Sequence, residues 1–308
     1  MRKFTENEIR EILQSARQGE SVAALCQQYE ISDSTYNAWV RQYTPTFITH
    51  SNPIHFEPIF SPHAFVSYAQ NFEDVMLYRA LKDVQQGFYV DVGANDPIVD
   101  SVTHAFYLRG WSGVSVEPIP SHIAALQKEH PRDINLQVAA SDTDGEITLF
   151  DTDVRGWSTA SQEIAQAHND HGVASKSYVV PARTLTSIFE EYAPTDVHFL
   201  KIDVEGWEES VLRGLDFTRF RPWIVVVEAT LPNSQIESFA DWEKILIQHD
   251  YRFVYFDGLN RFYLAAERSP LTPAFNTPPN VFDDFVRYDL VQAWQAYDAL
   301  KAQYANTP

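Results

Sequence analysis

Several things are scarce in this sequence, and each scarcity excludes something. One cysteine, Cys26, stands in 308 residues, so no disulfide can close within the chain and a thiolate zinc site is ruled out. A reducing, cytoplasmic compartment is the expected one. No stretch approaches the roughly 18 consecutive apolar residues that a membrane-spanning helix requires. The opening MRKFTENEIREIL also lacks the apolar region of an export signal, so neither membrane insertion nor export is expected. Positive charge is scarce as well: 23 Lys and Arg against 42 Asp and Glu leave a formal net charge of −19. Such a field repels phosphate backbones and argues against nucleic acid as the main substrate. A neutral or cationic ligand fits better.

What is present suits a compact fold. Hydrophobic residues make up 44% of the chain and aromatics 14%, with no biased tract. That is enough for one α/β catalytic domain and a small additional module. In the first part, Ile9, Ile12, Leu13 and Ala16 recur at helical spacing. Gly19 then interrupts the pattern, Ser21 is placed to cap a second helix through Tyr29, and Ser32 opens a third that ends near Tyr43. Three short helices with a Glu30-Ile31-Ser32 turn form a helix-turn-helix-like module over residues 1–45. The stretch from Phe4 to Tyr43 resembles the N-terminal module of insertion-element transposases. On the recognition helix, where that family commonly places Arg or Lys, this chain has Ala38, Val40 and Gln42. The module's cations Arg2, Lys3, Arg10, Arg17 and Arg41 are outnumbered by Glu6, Glu8, Glu11, Glu20, Glu30 and Asp33. Nucleic-acid binding through residues 1–45 and a retained packing or oligomerisation role both stay open.

Pro45, Pro53, Pro58 and Pro62 then punctuate an extended linker over residues 46–66. Beyond it, short apolar strands are predicted at 88–92, 113–117, 134–139, 197–204 and 223–228, alternating with helical patterns. This is the mark of parallel βαβ units. Segments 251–256 and 261–266 flank Asp257-Gly258-Leu259-Asn260, a hairpin signal that closes the sheet with an antiparallel pair. The catalytic domain therefore spans residues 67–270. A tail over 271–308 follows, with a helix over 282–304 that can pack back on the core or serve homo-oligomerisation.

FYVDVGANDP places Gly93 at the carboxyl end of the first strand of this domain, where open α/β sheets bind ligands. A dinucleotide pyrophosphate would call for G-x-G-x-x-G, and only Gly93 is present. That disfavours an NAD-dependent oxidoreductase. S-adenosylmethionine has no phosphate and carries a sulfonium cation, so a single glycine beside Asp91 suits it. GVSVEP ends at Glu117, about two dozen residues after Gly93, the spacing at which a carboxylate accepts from ribose hydroxyls. VAASD puts Ala140 where the adenine ring needs room and Asp142 where a carboxylate can accept from its amino group.

The motifs SYAQNFEDVML, FYVDVGANDP, SVTHAFYLRGWSGVSVEP, VAASDTDGEITLF, VPARTLTSIF and LKIDVEGWEESVLRG occur in that order. Over residues 67–268 the chain resembles FkbM-type methyltransferases. The resemblance implies a Rossmann-like seven-stranded methyltransferase sheet and S-adenosylmethionine as methyl donor. It also implies O-methylation of a hydroxyl on a carbohydrate or polyketide-like acceptor. FDGLNRFYLA followed by PPNVFDDF is similar to the subset associated with surface polysaccharide assembly, which favours a sugar. By the same resemblance Asp91, Gly93 and Asn95 form the first cofactor turn, Glu117 holds ribose, and Asp203 and Glu205 of DVEG belong to the site. The contrasting alternative is a DNA-binding regulator that reads S-adenosylmethionine as a signal.

Methyl transfer to a hydroxyl needs its proton removed. In VHFLKIDVEG, Lys201, Asp203 and Glu205 share one side of an extended strand. Asp203 and Glu205 are therefore candidates for base and acceptor clamp, with a Lys201–Asp203 ion pair as the structural alternative. Two carboxylates can hold a divalent cation through oxygen ligands, but nothing else in the sequence supports a metal. His104 is a second candidate base, its ordinary pKa lying near 6.5. Asn260, Arg261 and Tyr263 in the hairpin are candidates to bind sugar hydroxyls, and Trp157 to stack on a sugar face. Gln70 and Glu73 are placed to close over the cofactor, and Glu228 to face the acceptor or cap a helix.

Overall fold

A computed structural model describes residues 4–17, 21–32, 35–36, 38–39, 63–152, 158–170, 175–232 and 234–305. The chain divides into two compact units, residues 1–59 and 60–308. In the first, helices α1 (Glu6–Arg17) and α2 (Val22–Gln28) bury Ile9, Ile12, Leu13, Leu25 and Cys26 with Tyr36 of a third helical segment. Thr5 and Glu8 form a reciprocal cap on α1: Glu8 N donates to Thr5 Oγ1 at 3.3 Å and Thr5 N to Glu8 Oε2 at 2.8 Å. Ser32 caps the third segment by accepting from Thr35 N at 3.1 Å. Ser21 precedes α2 without a side-chain capping bond. The linker prolines, Gly19, Val40 and Gln42 lie outside the described residues.

The second unit begins with β1 (Phe65–Ser67) and α3 (Glu73–Leu81), joined by the SYAQNFED motif. Asp74 is fully buried and explains part of that motif. Its carboxylate accepts from Ser67 Oγ and Tyr68 N, both at 2.7 Å, and so pins the end of β1 onto α3. Next come β2 (Phe88–Val92), α4 (His104–Leu108), β3 (Ser112–Val116), α5 (Pro120–Glu129) and β4 (Ile134–Leu136). After them lie β5 (Ala139–Ser141), β6 (Gly145–Thr152), α6 (Gln162–Asp170) and β7 (Ser175–Thr184). The chain continues through α7 (Leu185–Tyr192), β8 (Phe199–Ile202), α8 (Glu208–Arg213), β9 (Ile224–Glu228), α9 (Glu243–Gln248), β10 (Tyr251–Phe256) and β11 (Asn260–Ala265).

The main sheet has seven strands in the order β10-β11-β9-β8-β2-β3-β4. Strands β9, β8, β2, β3 and β4 run parallel, while β11 and β10 close one edge antiparallel. Strand alternation divides the core between two faces. Val90, Val92, Leu200, Ile202, Val225 and Val227 pack with α7, α8 and α9 on one side, and Tyr89, Phe199, Ile224 and Val226 pack with α3 and α4 on the other. Each fully buried side chain of this size contributes about 1.5 to 3 kcal/mol. The order reverses between β2 and β8, so their carboxyl ends splay apart into a crevice, the usual ligand position of such sheets.

Two features depart from the sequence expectations. Strands β5, β7 and β6 form a separate three-stranded sheet, with β6 and β7 paired over eight residues from Gly145↔Ala182 to Thr152↔Ser175. The tail is also not helical from 282. Asn280 caps a short 3₁₀ turn, Val281–Asp283, and Asp284 turns left-handed at φ 46°. Strand β12 (Phe285–Arg287) then pairs parallel with β1. Helix α10 (Tyr288–Ala305) begins only after that pairing releases the chain. Arg79 of α3 anchors the turn by donating to both carboxylate oxygens of Asp283, at 2.7 and 2.6 Å.

Candidate functional site

A cavity of about 550 Å³ opens at the carboxyl ends of β2, β3, β8 and β9. At the end of β2 the chain turns at Gly93 with φ 81°, and a Cβ there would lie 1.8 Å from the backbone oxygen of Asp203. Only glycine fits, because both the left-handed backbone and the β8 chain beside it forbid a side chain. Asn95 follows with φ 49°. Its N–H donates to Glu117 Oε2 at 2.9 Å, and Ile119 N donates to Oε1 at 2.8 Å. Glu117 is thus buried, clamped by two backbone donors and part of the cavity lining, with acceptor capacity beyond those two bonds. Asp91 also lines the cavity. Burial pushes its carboxyl up to about 6, while Lys201 works in the opposite direction.

An apolar wall completes this end. Ile119, Ala139 and Ala140 come from the strand ends, and Ile147 and Leu149 from β6. Asp142 is exposed, weakly bonded to Ser141 and Thr143, and does not line the cavity. Ala140 does line it, so the space for a flat ring is bounded by aliphatic groups rather than by Asp142. Sequence reasoning missed Ile147 and Leu149. Their alternation in GEITLF was the available signal, but the strand's partner lay 30 or so residues away in a separate sheet.

At the end of β8 the ionisable groups converge. Lys201 is buried, and its Nζ donates to Asp203 Oδ2 at 2.8 Å. Burial favours the neutral amine, but the carboxylates of Asp203 and Asp91 outweigh it and hold the lysine above its ordinary value. Burial likewise opposes ionisation of Asp203, yet Lys201 and a hydrogen bond from Glu228 keep its carboxyl below the ordinary range. Glu205, in a left-handed conformation at φ 52°, is pushed up to about 9 by burial and then by Asp203 and Glu208. Glu228, at the end of β9, is raised well above its ordinary value by burial, Asp203 and Glu205. Oxygens of Asp203, Glu205 and Glu228 all lie within 4.8 Å of one another. Glu228 owes its place to register: Ile202 pairs with Val227, which sets the next residues of the two strands side by side. Glu208 stands behind the group, accepting from Gly206 N at 3.0 Å.

Other candidates are placed elsewhere. His104 does not line the cavity. Its ring bonds to His130 at 2.8 Å, and burial together with His130 pushes its pKa down to about 4. Asn260 is fully buried and donates to Glu73 Oε1 at 2.7 Å. Arg261 lies over the rings of Phe239 and Phe253 at 3.7 and 3.9 Å and donates to Glu243. Tyr263 is also fully buried and donates to the same carboxylate. None of Asn260, Arg261 and Tyr263 lines the cavity, because strand alternation and these bonds turn them into the sheet's packing. Glu73 is a buried acceptor for Asn260 and Asn71, whereas Gln70 and Leu259 do reach the cavity mouth. Asp100, Ser158, Thr159, Thr230, Ser234 and Gln235, which the sequence did not single out, also line the cavity. Trp157 lies outside the described residues.

Residues 91–253 match the family model described as the methyltransferase FkbM domain. Residues 1–50 match a family model described as transposase. No curated protein matches the chain. Among solved structures, a TehB-like S-adenosylmethionine-dependent methyltransferase from Corynebacterium glutamicum is similar at 9% identity over 75% of this chain and 97% of its own, with a TM-score of 0.36.

Proposed function

This chain belongs to the FkbM methyltransferase family and uses S-adenosylmethionine, and on that premise we propose that its acceptor is a hydroxyl of a carbohydrate or glycan precursor. The observation that carries the proposal is the adjacency, across β2 and β8, of a glycine turn built for close approach and a cluster of carboxylates. The residues present fit the cofactor. Gly93 leaves a cradle that a Cβ would fill, Glu117 keeps acceptor capacity for a ribose diol, and Ala139, Ala140, Ile147 and Leu149 bound an apolar slot. When bound, S-adenosylmethionine supplies a methyl group activated by its sulfonium.

The chain's own residues then have distinct tasks. Lys201 keeps Asp203 ionised where it lines the cavity. Asp203, with Glu205 and Glu228 beside it, accepts the acceptor's hydroxyl proton and fixes its direction of approach. Positioning of this kind contributes roughly 7 to 11 kcal/mol when the geometry is near that of attack, and proton removal about 10² to 10⁴ in rate. Gln70, Ser158, Ser234 and Gln235 along the cavity wall offer neutral donors and acceptors suited to a polyhydroxylated ligand. The net charge of −19 disfavours a polyanionic one.

Transfer of isotopically labelled methyl groups to a panel of sugars, nucleotide sugars and oligosaccharides tests the reading. The expected product is a methyl ether, stable to mild acid and base. Label appearing on nitrogen, or on a carboxyl as a base-labile ester, would overturn it.

A further inference from the structure

We infer that Asp203, Glu205 and Glu228 form a binding site for a divalent, oxygen-preferring cation, with the hydroxyl of Thr230 as an additional neutral ligand. The site uses the carboxylates already assigned to the acceptor end but does not depend on which acceptor is methylated. It rests first on a local imbalance of donors and acceptors. Asp91, Asp203, Glu205 and Glu228 all line the cavity, and the buried ammonium beside them is Lys201. That ammonium is engaged by Asp203 Oδ2. Glu228 is 7% exposed, and its Oε2 has no hydrogen-bond partner among the described residues; Glu205 Oε2 has none either.

A non-acidic residue points to the same ligand. Thr230 is 5% exposed, and its Oγ1 also has no hydrogen-bond partner among the described residues. It lies two residues beyond Glu228 in chain that remains extended, as the bridge Thr230↔Glu237 shows, so the two side chains project to the same side of the sheet. Both line the one cavity. A threonine hydroxyl can donate as well as accept, so it could satisfy itself by turning to a neighbouring carboxylate. Instead it stands as an unpartnered buried oxygen lining the same cavity as the three carboxylates, and such a set of oxygens matches the ligand chemistry of a hard cation.

Dimensions agree with this assignment. Ligand oxygens across a Ca²⁺ ion are at most about 5 Å apart, and across Mg²⁺ about 4.2 Å. The three carboxylates, with one oxygen each mutually within 4.8 Å, are close enough to share an ion of the larger size after a small side-chain adjustment. Burial strengthens the case, because paired charges are worth more away from bulk water.

Mn²⁺ alone, titrated into the full-length protein without S-adenosylmethionine or acceptor, tests the site by the loss of the free-ion EPR signal. One bound Mn²⁺ per chain is expected. Glu228→Gln and Glu205→Gln should each weaken binding about tenfold or more, since affinity follows the charge of the ligand set. Thr230→Val should weaken it less. Circular dichroism of each variant separates loss of the site from loss of the fold. Mn²⁺ remaining free at millimolar concentrations with the wild-type chain would overturn the inference, as would equal affinity in folded Glu228→Gln. Because binding is read without turnover, either result leaves the acceptor reading to its own test.

Discussion

The two ends of the cavity are built on opposite principles. At the β2–β3 end, the buried carboxylate Glu117 is held by N–H donors from Asn95 and Ile119, and Gly93 admits backbone contact where any side chain would collide with Asp203. At the β8–β9 end, carboxylates crowd one another, two keep a buried oxygen without a partner, and their protons are held well above the ordinary carboxylate range. The first end is preorganised by backbone donors. The second stores unfavourable electrostatics that a proton, a cation or a reacting hydroxyl relieves. The contrast separates binding from chemistry: a site that must hold a ligand spends its polar groups on backbone, whereas one that must move a proton leaves them exposed to each other.

Substitutions should therefore fall into separable classes. The largest effect is expected from Gly93→Ala, which places a methyl group inside the β8 backbone and forces a left-handed alanine. A cost of at least about 3 kcal/mol is expected, together with loss of measurable cofactor binding by calorimetry. Normal affinity would show that the turn is not the cofactor cradle. Next come Asp203→Asn, which removes a charge, and Glu228→Gln, which removes a carboxyl able to exchange a proton, both with shape kept. These should lower kcat by about 10² to 10⁴ while the cofactor Kd stays nearly constant. If Kd moved and kcat did not, the two ends would have exchanged roles.

Glu117→Ala should do the reverse, weakening S-adenosylmethionine binding by about 1.5 to 3 kcal/mol with a smaller effect on kcat at saturation. Glu117→Gln, which retains one acceptor oxygen for the backbone donors, should recover part of that loss. Calorimetry and steady-state rates at saturating cofactor distinguish the two outcomes.

The smallest effect on catalysis is expected at His104, which belongs to neither end. Burial and His130 hold its folded pKa near 4, while in the unfolded chain it protonates near its ordinary 6.5. The unfolded state therefore takes up the proton first as pH falls. Stability should drop between pH 6.5 and pH 4, by about 2 kcal/mol from this residue at pH 5. His130, Tyr68, Glu129 and Asp96 are the groups that surround or influence it. His104→Gln should flatten that pH dependence of the melting temperature and leave kcat unchanged. A collapse of kcat would move the proton transfer away from the β8–β9 end.

Much of this site is legible in sequence because it lies where strands end. Gly93, Glu117 and Asp203 each close a buried apolar run, and the carboxyl end of such a run is the functional edge of a parallel sheet. Glu228 also closes an apolar run, but its partnership with Asp203 depends on the register between β8 and β9. Asn260, Arg261 and Tyr263 carry polar groups in a hairpin near the sheet edge, which made them look like ligands for a sugar. The structure gives those groups to Glu73, Glu243 and the rings of Phe239 and Phe253. His104 has the right chemistry and follows the right turn, yet one turn of helix points it into His130.

By itself the amino-acid sequence determined the periodic features: five parallel strands with crossovers, the closing hairpin, the glycine turn and the acidic residue that follows it. Those depend on contacts between near neighbours, so apolar spacing and turn chemistry record them directly. Only the tertiary structure decided which acids meet, which histidine is withdrawn, and that β6 supplies the apolar wall through Ile147 and Leu149. Each of these is a contact between segments far apart in the chain. A carboxylate's charge state and a side chain's partner are set by burial and by what the fold brings beside it, and neither is written into the residue's own spacing.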